Sequence, residues 1–101
     1  MSRAKINIPQ TQLAEFCQAN QIRRLSLFGS VLREDFSPSS DVDVLVEFDA
    51  DASVGMIRLA RLEIELGRLL GRKVELNTPG FLSKYFRDRI LTEAEVQYDA
   101  A

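Results

Sequence analysis

The chain alternates between two hydrophobic rhythms, one near 3.6 residues and one of 2, and the changes of rhythm mark its elements. After Pro9, the stretch QTQLAEFCQAN sets Leu13, Phe16 and Cys17 at helical spacing, which predicts a first amphipathic helix closing near Asn20. RRLSLF then predicts a short strand from Arg24 to Phe28 that Gly29 breaks. Ser30 is expected to N-cap a short helical turn, VLRED, before the loop FSPSS. In DVDVLVEF the period is 2: Val42, Val44 and Val46 point one way, and Asp41, Asp43, Leu45 and Glu47 the other.

Beyond the acidic turn DADAS, the helical rhythm returns for the longest helix, 54–70. Met56, Leu59, Leu62, Leu66, Leu69 and Leu70 form its apolar face. Gly71 ends it, KVELN predicts a third strand, and Thr78-Pro79-Gly80 stops that strand. The remainder, FLSKYFRDRILTEAEVQYD, is expected to form one or two short helices. The order α-β-α-β-α-β-α makes an α+β, or mixed α/β, chain: a small mixed sheet of three or more strands packed against helices. No repeat, linker or low-complexity tract divides it, so residues 1–101 are expected to be a single domain.

Composition narrows the chemistry. Hydrophobic residues make up 46% and charged residues 28%, as in a soluble globular domain. No segment approaches the ~20 apolar residues of a membrane span. MSRAKINIPQ has no apolar signal core, so a cytoplasmic location is expected. A net charge of -2 gives no global attraction to nucleic acid, and no nucleic-acid partner is expected. The single cysteine, Cys17, falls in the apolar rhythm of the first helix and reads as a buried small hydrophobe. With no histidine in the chain, Ser-His-Asp hydrolysis and histidine zinc sites are excluded, leaving carboxylates, hydroxyls, Lys and Arg. GRLLGRK, from Gly67 to Lys73, lacks the spacing of a phosphate-binding P-loop.

Asp41 and Asp43 stand about 6.6 Å apart, twice the ~3.3 Å strand rise, with both side chains on one surface. By itself the pair is consistent with the wet face of an ordinary strand. It also suits Mg²⁺, which takes hard oxygen ligands and completes its shell with water and substrate phosphates. Gly29-Ser30, at the end of the preceding strand, adds backbone N–H groups and a hydroxyl suited to an anion. Glu75 in KVELN would bring a third carboxylate if its strand lies beside DVDVLVEF; otherwise it is an exposed edge residue. Three acidic side chains with a phosphate cradle point to two-metal phosphoryl or nucleotidyl transfer.

Gly29-Ser30, ten residues before the Asp41-Val42-Asp43 triplet, with a third acidic residue on a later strand, resembles the DNA polymerase β-like nucleotidyltransferase superfamily. More narrowly, LFGSVLRED, SDVDVLVEF, KVELNTP and FRDRILTEAEVQYD are similar to the minimal nucleotidyltransferases, the antitoxin half of HEPN–MNT toxin–antitoxin pairs, over about Leu13 to Tyr98. The resemblance implies the polymerase β-like fold, with Gly29 and Ser30 holding ATP, and Asp41, Asp43 and Glu75 binding two Mg²⁺ ions and serving catalysis. Glu75 stands where the family usually has aspartate. Arg33 matches a frequent basic position that would neutralise the β- and γ-phosphates; the competing reading pairs it with Glu34 or Asp35 in solvent. The implied acceptor is a tyrosine hydroxyl on a cognate HEPN ribonuclease toxin, silenced by AMP addition.

Two other readings remain open from sequence. One is an antitoxin that neutralises by contact alone: Ile57, Ala60 and Ile64 form a second apolar stripe on helix 54–70, either covered by the terminal helices or free to meet another copy or another chain. The other is a small-molecule nucleotidyltransferase, which shares the Gly-Ser and D-x-D core.

Overall fold

The computed structural model describes residues 4–100; residues 1–3 and 101 of the expected domain lie outside the described residues. Helix α1 spans Gln10–Ala19, strand β1 Ile22–Phe28, strand β2 Val42–Phe48, helix α2 Met56–Leu70, strand β3 Val74–Asn77, helix α3 Lys84–Glu93 and strand β4 Glu95–Asp99. Two short 3-10 turns, Gly29–Leu32 and Pro79–Phe81, follow β1 and β3. The sheet order is β3-β2-β1-β4. β1 runs antiparallel to β2 and β4, while β2 and β3 are parallel and joined through α2.

The period-2 alternation of β2 decides which way the sheet faces. Val42, Val44 and Val46 are fully buried and pack with Leu25, Leu27, Val74 and Leu76 of the flanking strands. Leu13 and Cys17 of α1 and Leu59, Leu62 and Leu66 of α2 close over them. This helical layer on one face leaves Asp43, Glu47 and Glu75 on the other. That second face is not simply wet, because Leu45 is 1% exposed and Ser26 2%. The turn at Pro79–Phe81 lies against β2. α2 stops at Gly71, whose φ of 67° is the left-handed conformation a glycine adopts without cost.

Several expectations are corrected. β1 begins two residues earlier than expected, at Ile22, which is anchored in the core. The VLRED helix does not form: the chain makes a four-residue 3-10 turn, Gly29–Leu32, with Phe28 rather than Ser30 at its cap, and Arg33 is already extended. Val31, buried in the core, pins the turn. The chain's last segment is not wholly helical either. After α3, EVQYD pairs with the free edge of β1, Leu25 opposite Tyr98 and Ser26 opposite Val96, and becomes β4. α2 begins at Met56 rather than residue 54, and Met56 is exposed instead of lying in the core. The terminal helices do not cover the second stripe of α2: Ile57, Ala60 and Ile64 are exposed.

Candidate active site

Where β1 ends, Gly29 turns the backbone with φ +76°. A Cβ there would collide with the Asp43 carboxylate, whose Cγ would lie 3.3 Å from it. The turn and the acidic strand are therefore fitted to each other through a position that has no side chain. Register supplies the rest. Phe28 of β1 is the Cα partner of Asp43 in β2, and Asp43 is the partner of Glu75 in β3. Cross-strand partners share a face, so a row of Phe28, Asp43 and Glu75 runs across three strands on the face opposite the helical core. Asp41, just before β2, joins it from the loop side.

Electrostatics mark Asp43 as the strained member. Burial pushes its carboxyl above the usual value, the negative charges of Glu75 and Asp41 push it further, and the Arg33 guanidinium opposes them. Asp41 is 39% exposed and has a weak ion pair, 3.9 Å, with Lys73 Nζ. Arg33 is exposed, and its Nε donates to Asp35 Oδ1 at 3.3 Å. Of the two sequence readings of Arg33, the pairing with Asp35 in solvent is present, and its charge also reaches Asp43. Ser30 is partly exposed within the turn, and its carbonyl accepts from the Arg33 N–H at 2.9 Å.

Asp41, Asp43 and Glu75 are thus brought to one sheet face, with Gly29 against Asp43. Among the described residues, no three acidic, His or Cys side chains converge as a ready-made metal cage. The donor set still suits a divalent cation: it offers only hard carboxylate oxygens, and the mutual repulsion felt at Asp43 is what such a cation would relieve.

α3 adds residues that sequence reasoning missed. A cavity of about 210 Å³ opens beside Gly29 and Arg33, floored by Phe28 and walled by Phe86, Arg89 and Ile90. A second, more polar cavity of about 250 Å³ shares Gly29, Arg33 and Glu93 with the first and adds Leu32. The only signal of these residues in sequence is the block FRDRIL, whose spacing shows a helix but not its placement over the end of β1.

The nucleotidyltransferase domain family matches residues 10–96. The chain belongs to that family. A relative from Methanocaldococcus jannaschii, provisionally named as a protein adenylyltransferase, is 40% identical over 73 residues, covering 72% of this nucleotidyltransferase and 76% of the relative. A crystal structure of a toxin–antitoxin with AMP-PNP superposes with a TM-score of 0.74 at 18% identity, over 91% of this chain and 74% of that one. A structure of a tri-AMPylated Shewanella oneidensis HEPN toxin in complex with an MNT antitoxin gives 0.65 at 18% identity, over 89% and 69%. At these identities the two structures establish a shared fold. This nucleotidyltransferase therefore has the architecture of the minimal enzymes its sequence resembles. No helix among its described residues is long and apolar enough to cross a membrane.

Proposed function

We propose that this nucleotidyltransferase is an antitoxin that transfers AMP from ATP to a protein hydroxyl, foremost a tyrosine of a cognate HEPN ribonuclease toxin. The observation that carries the reading is the registered row of Asp43 and Glu75 beside the Gly29-Ser30 turn. The adenylyltransferase relative and the HEPN–MNT neighbours support the choice of donor and acceptor.

In the reaction, the acceptor oxygen bonds to the α-phosphorus, the bond from that phosphorus to the bridging oxygen breaks, and pyrophosphate leaves with the pair of electrons. Gly29 N–H and the Ser30 hydroxyl hold the leaving β- and γ-phosphates, and Arg33 balances their charge. Glu75 would take the acceptor's proton. Asp41, Asp43 and Glu75 would hold two Mg²⁺ ions, which supply activation of the acceptor and stabilisation of the leaving group when bound. The whole of residues 1–101 is taken as one catalytic domain.

Asp41→Ala with Asp43→Ala tests the proposal. Intact-mass analysis of a co-expressed HEPN toxin should show added AMP with the wild type, ATP and Mg²⁺, and none with the double variant. A second reading, neutralisation by contact alone, is favoured by the exposed Met56, Ile57 and Ile64 on α2, the surface available for homo- or hetero-oligomers. Full neutralisation by the double variant, with no mass gain from the wild type, would select it.

A further inference from the structure

We infer that Arg72 is a positioning residue for Asp41: its guanidinium clamps the loop before β2 and so fixes where the first carboxylate of the site stands. The inference rests on the reading of Asp41 as a metal-binding carboxylate and deepens it. Asp41 precedes β2, which begins at Val42, so it lies outside the paired register of the sheet. Its 3.9 Å contact with Lys73 Nζ is too long for a hydrogen bond. Mg²⁺ tolerates little departure from octahedral geometry, so a ligand outside the sheet needs its backbone held by other means.

The two peptide units that flank Asp41 are tied to consecutive residues of the segment between α2 and β3. On the C-terminal side, the Val42 N–H, part of the Asp41–Val42 peptide, donates to the Lys73 carbonyl at 2.9 Å. On the N-terminal side, the Ser40 carbonyl, part of the Ser40–Asp41 peptide, accepts from Arg72 Nη2 at 3.0 Å. The same nitrogen donates to the Ser37 carbonyl at 2.8 Å. One amino group thus gathers both ends of a turn that is also closed by the Ser40 N–H on the Ser37 carbonyl at 3.0 Å and the Ser37 N–H on Ser40 Oγ at 3.1 Å. Peptide units are planar, so fixing the one before and the one after a residue fixes its Cα and the direction of its side chain. Asp41 is aimed from both sides.

Arg72 can clamp because it is itself held. Its N–H donates to the Gly67 carbonyl at 3.1 Å, just beyond the left-handed Gly71 that ends α2. A Cβ at residue 67 would stand 3.0 Å from the Arg72 carbonyl oxygen, so glycine there lets this segment lie close against the helix. The guanidinium carbon lies 4.5 Å from the centre of the Phe36 ring, and Phe36 packs in turn against the core. A planar guanidinium stacks by its face while donating from its edge; lysine keeps the charge but has no plane to stack. The clamp therefore acts on the reaction through Asp41, on the loop that joins the Gly29-Ser30 turn to β2.

The test uses the full chain, with Mn²⁺ as the metal probe and AMP-PNP as the nucleotide. Arg72→Lys should weaken Mn²⁺ binding, followed by electron paramagnetic resonance, about tenfold, and hydrogen exchange at the Ser40 amide should speed up by a similar factor. With a HEPN toxin polypeptide and ATP, kcat should fall while KM for the polypeptide stays unchanged. Phe36→Leu, which keeps an apolar side chain beneath the guanidinium, should show the same changes in smaller degree and carries the same readouts if Arg72→Lys does not fold. In an Asp41→Ala background, Arg72→Lys should alter Mn²⁺ affinity no further, because its effect runs through that carboxylate. Unchanged Mn²⁺ affinity in Arg72→Lys with only a lower Tm, or an equal loss of affinity with and without Asp41, overturns the positioning role while the transfer reading stands. A wild type that binds Mn²⁺ but adds no AMP to the toxin overturns the transfer reading, and the Mn²⁺ titrations still decide the clamp. A wild type that binds no Mn²⁺ overturns both.

Discussion

The carboxylate of Asp43 fills the space that a side chain at residue 29 would need, and Gly29 has the positive φ that only glycine adopts freely. One position thus joins the Gly29-Ser30 turn to the acidic strand by contact and by backbone conformation.

Gly29→Ala should therefore be costly twice over. The strained backbone alone costs about 1–3 kcal/mol, and Asp43 must also rotate away from the new methyl. Thermal unfolding should show the loss of stability, and calorimetry should show weakened ATP binding. Gly55→Ala is the control: a Cβ there meets nothing within 4 Å, and it should leave both measurements nearly unchanged.

Asp43 should make stability depend on pH in an unusual direction for an acid. Burial and the charges of Glu75 and Asp41 raise its folded pKa above 3.8, so its ionised form is less at ease in the fold than in the unfolded chain. Stability then falls as pH rises from about the unfolded value through the folded one, and returns on acidification through the same window. Asp43→Asn should remove this dependence and raise Tm at neutral pH while abolishing transfer, a trade of stability for function. Mg²⁺ should raise Tm of the wild type and not of the variant. A lower Tm for Asp43→Asn at neutral pH would refute the argument.

Cys17, on the inner face of α1, is fully buried, and burial pushes its thiol up to about 12. Since the thiolate is the reactive form, a disulfide reagent such as DTNB should label it slowly in the folded protein and fully in guanidinium. Rapid stoichiometric labelling of the native chain would contradict the packing.

Leu66, also fully buried, bridges α2 to the sheet. Leu66→Ala should cost about 2–5 kcal/mol by chemical denaturation, because the core can collapse only partly around the lost atoms. Ile64→Ala, two residues earlier on the exposed side, should cost far less, since that side chain is 59% exposed.

Local pattern made much of the site legible. The alternation in DVDVLVEF alone puts Asp41 and Asp43 on one face and the valines on the other, because the side-chain period of a strand is 2. The Gly-Ser break after RRLSLF, the long helix and its stop at Gly71 are likewise local, set by apolar spacing and by a residue that tolerates positive φ. What spacing could not supply was adjacency. Glu75 became a member of the site only when parallel pairing set it beside Asp43. EVQYD has strand-like alternation too short to outweigh the helix before it, and it became β4 only because β1 had a free edge to pair with. Phe86 and Arg89 reached Gly29 because α3 folds over the end of β1. Ile57 and Ile64 kept their apolar stripe in solvent because α1 and α3 pack elsewhere. The sequence by itself determined which side chains share a strand or helix face, since backbone geometry acts within a few residues. Only the tertiary structure decided which faces meet, since that depends on how the whole apolar surface is buried at once.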